Sequence, residues 1–301
     1  MGCRGNDPRF FNNLEKLGGK TEVFFGSKIP FVNLRMNYRN HRKIMVVDAK
    51  VAYLGGFNIG DEYLGKGELG EWRDTHMKIE GNAVLTLQSR FFMDWNAVAK
   101  EKNRKDYAEA YFPIADKKGN TAMQIVTSGP DDEDQTIKMG FLKMISQAKE
   151  SIYIQTPYFI PDESLHEMLK IAVLSGVKVK IMIPSKPDHP FVYRATEYFA
   201  KDIVEYGAEV YMYQNGFLHS KVMVVDDEIV SVGTANMDVR SFKLNFEINA
   251  FIYDRDVAEE LIANFDEDQK NCIRATHDYF AKQSKWRKFK QAFSRLLSPI
   301  L

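Results

Sequence analysis

The chain carries one eight-residue pattern twice. His41-Arg-Lys43-Ile-Met-Val-Val-Asp48 and His219-Ser-Lys221-Val-Met-Val-Val-Asp226 both read HxKxxxxD, and their histidines lie 178 residues apart. Seven residues past each Asp stands a glycine, Gly55 or Gly233, and ten past each stands an asparagine, Asn58 or Asn236. Continuing the alignment brings Arg73-Asp74-Thr-His-Met-Lys-Ile-Glu-Gly81 beside Phe246-Glu247-Ile-Asn-Ala-Phe-Ile-Tyr-Asp254, so Asp74 and Glu247 are candidate equivalents. At ordinary composition a given His has roughly a 0.4% chance of opening this pattern. Two accidental matches among six histidines are therefore excluded, and the chain reads as an internal duplication.

Each copy has the same local grammar. KIMVV and KVMVV are short β-branched runs, each followed by a turn and a second run, VAYLGG or EIVSVG, so each copy is expected to be a β-hairpin. Ahead of the second copy, Met139 to Glu150 has helical spacing, Ser151 to Gln155 reads as a strand, Ser164 to Leu174 as a helix and Val177 to Ile183 as a strand closed by Pro184. That is a βαβ unit with a right-handed crossover. Only 40 residues precede His41, whereas 78 separate Phe141 from His219, so a strand, a helix and a strand are missing from the first half. The segment Pro8 to Gly26 matches Tyr193 to Gln214 in character, helix then glycine turn then strand. The expectation is an N-terminally shortened piece of a longer protein. Its fold class is α/β, two similar halves of mixed β-sheet flanked by helices and related by a pseudo-two-fold axis, with both hairpins at the interface. The boundary falls after the charged stretch Lys100 to Lys118, giving halves 1–118 and 119–301.

Composition narrows the function. At 301 residues and 45% hydrophobic the chain buries a sizeable core, which excludes global disorder. Lys plus Arg and Asp plus Glu are both 41, so no overall field draws it to nucleic acid, and no nucleic-acid partner is expected. Cys3 and Cys272 are too few and too far apart for a disulfide framework or a thiolate zinc site, and both are expected to be ordinary thiols. No stretch approaches 18 consecutive apolar residues, and Arg4, Asp7, Arg9, Glu15 and Lys16 stand where a signal peptide needs an apolar run.

His and Lys at i and i+2 lie on one face of a hairpin strand, and the Asp at i+7 lies on the opposite face. There Asp48 and Asp226, counted by the motif with His41, Lys43, His219 and Lys221 as catalytic candidates, hold the hairpin together. A neutral imidazole attacks phosphorus, and a second, protonated one supplies the leaving oxygen with its proton. Lys43 and Lys221, with the amides of Asn58 and Asn236, stabilise the equatorial oxygens. The lysines supply the charge that a metal ion otherwise brings, so no metal or other cofactor is expected. Glu247 is expected to orient His219, and Asp74 to orient His41, each within its own copy. A lone copy is equally well read as a strand with a surface His and Lys; two intact copies favour one shared site.

The duplicated HxKxxxxD followed by GxxN resembles the phospholipase D superfamily. The longer stretches "NLRMNYRNHRKIMVVD", "GGFNIGDEYLG", "WRDTHMKIEG", "QTPYFIPDESL", "HSKVMVVDDEIVSVGTANMDVRSFKLNFEINAFIYD" and "RLLSPIL" are similar to bacterial cardiolipin synthases over nearly the whole chain. The resemblance implies transphosphatidylation of two phosphatidylglycerols to cardiolipin and glycerol through a phosphatidyl-histidine. It favours His41 as nucleophile and His219 as acid then base. It also implies an intact protein at the bacterial cell membrane, with this piece at the cytoplasmic surface, and two membrane helices of the family that the given sequence lacks. The rival readings are a phospholipase D-type phosphodiesterase using water on phospholipid or, against the balanced charge, on nucleic acid, and a membrane-surface module without turnover.

Four further features carry weaker signals. The loops Gln155 to Pro161 and Ser185 to His189 follow strands, where open α/β sheets place ligands. His76, His166 and His277 are assigned no role, and the acidic run 131–134 reads as a solvated loop. The stretch Lys285 to Leu301 is basic and amphipathic. Its apolar face is expected to pack on the protein's own core, with an anionic bilayer as the alternative.

Overall fold

The computed structural model describes residues 8–25 and 37–298. Cys3, Gly26 and the last three residues of the C-terminal stretch lie outside them. The first half contributes α1 (Asn12–Lys16), β1 (Arg39–Asn40), β2 (Ile44–Val47), β3 (Val51–Gly55), β4 (Trp72–Arg73), β5 (His76–Glu80) and α2 (Ala83–Val98). The second begins with β6 (Ala122–Ser128), α3 (Thr136–Gln147), β7 (Ser151–Gln155), β8 (Phe159–Ile160), α4 (Glu163–Leu174), β9 (Lys178–Pro184), α5 (Pro190–Glu205) and β10 (Glu209–Tyr213). It continues through β11 (Phe217–Leu218), β12 (Val222–Val225), β13 (Ile229–Gly233), β14 (Met237–Asp238), α6 (Val239–Lys243) and β15 (Asn245–Tyr253). It closes with α7 (Arg255–Gln269), β16 (Cys272–Arg274), α8 (His277–Ala281) and α9 (Lys285–Leu296).

Both expected hairpins form, β2 with β3 and β12 with β13, and β7, α4 and β9 make the expected βαβ unit with parallel strands. The large mixed sheet runs β1-β15-β13-β12-β7-β9-β10-β16, with β6 also paired to β15; the small one runs β2-β3-β5. Helices α3, α4 and α5 cover one face of the large sheet through Phe141, Leu165 and Ala200. Its other face packs against the small sheet and α2, so Ala52, Leu54, Ile79 and Leu87 share one core with Val222, Val230 and Ile248. The two halves thus have a common interior.

The same MVV triplet meets two environments. In β12, between β7 and β13, Met223 is fully buried, whereas in β2, an outer strand of the small sheet, Met45 is 58% exposed. Layer context, not local sequence, decides which faces are covered. The segment expected to mimic Tyr193 to Gln214 forms α1 and a glycine turn, but residues 20–25 make no strand. Among the described residues no neighbouring strand takes up its ladder; instead Phe24 packs on Phe246 at 5.1 Å between ring centroids.

The C-terminal helix corrects a second expectation. On α9 the buried residues are Gln291 and Ser294, while Trp286, Phe289, Phe293 and Leu296 are exposed. The polar face is docked because Glu197 of α5, itself buried, takes hydrogen bonds from Arg287 and Gln291. No helix among the described residues is long and apolar enough to cross a membrane.

A shared core predicts one cooperative unfolding transition for both halves, seen equally by circular dichroism and tryptophan fluorescence in urea. Leu54→Ala is expected to lower its stability by about 2–5 kcal/mol. The two motif aspartates should behave unequally. Asp226 accepts hydrogen bonds from the backbone amides of Lys149, Glu150 and Ser151, whereas Asp48 is exposed in its turn. Their φ angles, 51° and 52°, match, so backbone strain cancels between them. Asp226→Ala is expected to cost about 1–3 kcal/mol more than Asp48→Ala, measured by the same urea titration.

Candidate active site

Backbone pairing between the halves builds the site. β1 runs parallel to β15 with Arg39 opposite Asn245 and Asn40 opposite Phe246; β11 runs parallel to β4 with Phe217 opposite Trp72 and Leu218 opposite Arg73. Both registers are the same relative to the motif, the two residues before a histidine lying against the two before an acid. Each ladder ends with the histidine's own amide, His41 N–H donating to Phe246 O at 2.9 Å and His219 N–H to Arg73 O at 2.8 Å. The HxK triplets lie in the extended links between these short strands and the hairpins, not within a hairpin strand as expected.

This register forces an exchange of partners. His41 Nδ1 lies 2.9 Å from both carboxylate oxygens of Glu247, and His219 Nδ1 lies 2.7 Å from Asp74 Oδ2. The expected pairings within each copy are therefore corrected: each acid orients the imidazole of the opposite half. The equal offsets of Asp74 and Glu247 identified them as equivalents but said nothing of which half each would serve. With Nδ1–H donated to a carboxylate, Nε2 of each ring keeps its lone pair for chemistry.

The carboxylates are themselves held. Glu247, with no exposure, accepts from Thr234 Oγ1 at 2.6 Å and Asn245 Nδ2 at 3.1 Å. Asp74 accepts from the Thr75 amide at 2.8 Å and from Tyr63 Oη at 2.9 Å. Tyr63 Oη also lies 2.9 Å from His219 Nδ1, so it belongs to the site although sequence reasoning missed it. Its turn, Asp61–Leu64, aligns with the start of α6 in the second copy, but Ser241 stands where Tyr63 does, so the repeat does not reveal the tyrosine. Gly56 is required here, since an added Cβ would stand 2.0 Å from Asp74 Oδ1.

Lys43 Nζ donates to His41 O at 2.7 Å, and Lys221 Nζ makes the same bond to His219 O. Burial lowers the pKa of Lys43 to about 8 and, with Lys43 adding repulsion, that of Lys221 to about 7, although Asp74 and Glu247 oppose both shifts. Burial likewise lowers His41, against the pull of Glu247, and takes His219 down to about 3, helped by Lys221 and opposed by Asp74. The carboxylates stay ionised: burial would raise both, but Lys221 and His219 outweigh it at Asp74, and His41 and Lys43 at Glu247. Lys221 acts on His41 and Lys43 on His219, so the two copies form one electrostatic unit. The resting state is two neutral imidazoles on two carboxylates, flanked by two amines that titrate near neutrality.

The imidazoles differ in access. The side chain of His219 is 7% exposed beneath Trp72, whose ring centroid lies 4.9 Å away, whereas that of His41 is 26% exposed. The asparagines are also unequal. Asn236 is buried, its Nδ2 donating to Asp238 at 3.1 Å, while Asn58 is exposed. Asp48 and Asp226 sit in hairpin turns away from the imidazoles, which corrects their place among the catalytic candidates. Tyr158 donates to Asp188, joining the two loops proposed to line a cleft, and Thr156 Oγ1 accepts from the Met237 amide at 3.2 Å, tying the first of them to the Asn236 turn. Cys272 is a free thiol pushed up to about 12 by burial, and the acidic run 131–134 is exposed.

Residues 141–269 match the family model described as cardiolipin synthase, PLD-like domain. A cardiolipin synthase from Listeria welshimeri is 56% identical over 302 aligned residues, covering 100% of this chain and 62% of that protein. The major cardiolipin synthase of Bacillus subtilis (strain 168) is 54% identical, again over 100% of this chain and 62% of its own length. The chain therefore spans about three fifths of the length of the curated relatives it matches. Among solved structures, a phosphatidylserine synthase from Haemophilus influenzae Rd KW20 shares the fold, with a TM-score of 0.69 at 18% identity over 96% of this chain and 77% of that one. With two intact HxKxxxxD motifs joined in one site and this extent of identity, the chain belongs to the phospholipase D superfamily, among relatives that are cardiolipin synthases.

Proposed function

We propose that the site transfers a phosphatidyl group between two phosphatidylglycerols, making cardiolipin and glycerol. The observation that carries this is the pair of imidazoles, each clamped at Nδ1 by a carboxylate of the opposite half and each left with a free Nε2 beside a shared pair of lysines. The names of the relatives supply the lipid class; the geometry supplies the chemistry.

His41, the more accessible ring, takes the nucleophile's role. Its Nε2 attacks the donor phosphorus, a P–N bond forms and the P–O bond to the glycerol headgroup breaks. The departing oxygen takes a proton from Nε2–H of His219. In the second stage the primary hydroxyl of another phosphatidylglycerol passes its proton to His219 and attacks phosphorus, which restores His41. Free His219 is neutral, with a pKa near 3, because it is buried beside Lys221. An arriving phosphodiester anion offsets the lysine charge, and only then does the Asp74-bound ring hold a second proton. Protonation of the acid is thus coupled to substrate binding, and Lys43 and Lys221 stabilise the equatorial oxygens as charge builds.

Phosphatidylglycerol vesicles without added metal are the direct assay, with cardiolipin, phosphatidic acid and glycerol followed by mass spectrometry. Equimolar cardiolipin and glycerol are expected from the parent. His41→Ala and His219→Ala should each lose on the order of 10³-fold or more. After a denaturing quench held at neutral to mildly alkaline pH, where the P–N bond survives, a covalent phosphatidyl adduct should be trapped on His219→Ala and be missing from His41→Ala. Phosphatidic acid in place of cardiolipin would make water the acceptor, and neither product nor adduct from the parent would overturn the proposal.

The lysine shifts fix a pH dependence. The free site loses positive charge as pH rises through about 7 and about 8, the values for Lys221 and Lys43, so kcat/KM is expected to fall over that range. Bound phosphodiester stabilises both ammonium groups, so the corresponding fall in kcat belongs at higher pH. Coincident limbs in the two profiles would refute a role for the lysines in binding phosphate. Glu247→Gln and Asp74→Asn keep the side-chain shape but remove the charge that supports an imidazolium, and each should lower kcat on the order of 10²-fold with little change in KM.

A further inference from the structure

Helix α9 is mounted inside out. Its polar residues Arg287, Gln291 and Ser294, at i, i+4 and i+7, face the protein, and Trp286, Phe289, Phe293 and Leu296, at i, i+3, i+7 and i+10, form a continuous stripe on the opposite side. Those four side chains are 63%, 58%, 47% and 70% exposed. The stripe is ordered, with the Trp286 and Phe289 rings stacked at 5.4 Å and the Phe289 and Phe293 rings at 6.5 Å. What fixes the helix in this orientation is the buried Glu197 carboxylate, which binds Arg287 and Gln291 and also takes a 2.5 Å hydrogen bond from Arg194. Rotating the stripe inward would leave that buried carboxylate without Arg287 and Gln291, a penalty that opposes burial of the rings.

We propose that this stripe is a docking surface for an anionic lipid bilayer, seated with the rings at the acyl boundary and the lysines among the headgroups. Charge selects the occupant. Residues 279–298 contain six basic side chains and no acidic one, in a chain whose formal net charge is zero. Arg287 is used by Glu197 and Arg295 lies over the Tyr198 ring, but Lys282, Lys285 and Lys290 are exposed and pair with no carboxylate among the described residues, Lys290 Nζ lying 5.2 Å over the Trp286 ring of the stripe itself. Lys285 and Lys290 flank the stripe on its two sides, the placement that lets ammonium groups reach phosphates while the rings descend. A second copy of the chain would set the same lysines against one another, whereas an anionic surface is complementary to both features at once. The surface is separate from the imidazole site, and its proposal does not depend on the transfer chemistry.

The test is co-flotation of the whole chain with vesicles of phosphatidylglycerol and phosphatidylcholine in a 1:3 ratio, of the order of membrane charge densities, against phosphatidylcholine alone. Emission of Trp286 is read alongside, since Trp72 and Trp95 are already half-buried. Binding to the anionic vesicles with a blue shift is expected, weakened about tenfold or more by high salt. Trp286→Phe should keep binding and lose the shift. Phe289→Ser with Phe293→Ser should reduce binding about tenfold or more, with an unchanged melting temperature because neither ring is part of the interior. The same double variant should turn over monomeric short-chain phosphatidylglycerol as the parent does, and His219→Ala should float as the parent does, which separates docking from chemistry. Equal flotation of parent and double variant would overturn the proposal, as would a dimer in light scattering that the double variant abolishes.

Discussion

Everything in the site follows from four residue pairings between short strands of opposite halves. Asn40 opposite Phe246 and Leu218 opposite Arg73 set the register in which the next residue on each strand is a histidine or its acid. A shift by one residue would turn every side chain to the other face and separate both pairs at once. The register is secured by bulk rather than by the few hydrogen bonds of two-residue strands. Phe217 and Leu218 are fully buried, the Trp72 ring packs on Phe217 at 4.7 Å, and the small sheet shares its core with the large one. Interface and active site are therefore the same structure.

The exchange of acids has an energetic logic. A carboxylate as buried as Glu247 is tolerable only if its oxygens are satisfied, and Thr234, Asn245 and His41 satisfy them. Two of those partners come from its own half and one from the other, so the halves cannot part without exposing or orphaning a charge. The same holds for Asp74, between Tyr63 and Thr75 of its own half and His219 of the other. With both carboxylates ionised and both imidazoles neutral, the amines of Lys43 and Lys221 are the groups whose charge responds to an incoming anion. Burial is what chiefly lowers both pKa values, with repulsion from Lys43 adding at Lys221.

Much of this was legible in the sequence because the repeat is strict. The matching of His41 with His219 and of Asp74 with Glu247 identified the residues that meet, and the β-branched runs identified the hairpins. What the repeat could not reveal is anything that differs between the copies. Met45 and Met223 occupy the same motif position and lie on opposite sides of burial, because one strand is an outer one and the other central. Tyr63 has Ser241 at its aligned position, which cannot play the same part. The crossing of acids is invisible for a subtler reason: a symmetric pair of halves looks the same in alignment whether each acid serves its own histidine or the other's. Only the parallel pairing of β1 with β15 and of β11 with β4 distinguishes them.

The orientation of α9 was misread from a rule that is usually sound, that an amphipathic helix buries its apolar stripe. The rule compares a stripe of rings with a polar face that water satisfies equally well. Here the polar face has a better partner than water, a buried carboxylate on α5 with Arg194 and Arg287 on either oxygen. Removing one ion from such a buried cluster is costly, which opposes burying the rings, and the helix turns its apolar side out. The residue responsible, Glu197, sits mid-helix among alanines and aromatics nearly ninety positions before Trp286, and nothing in either local pattern announces it. Electrostatics inside α5 thus decides which surface the far end of the chain presents to its surroundings.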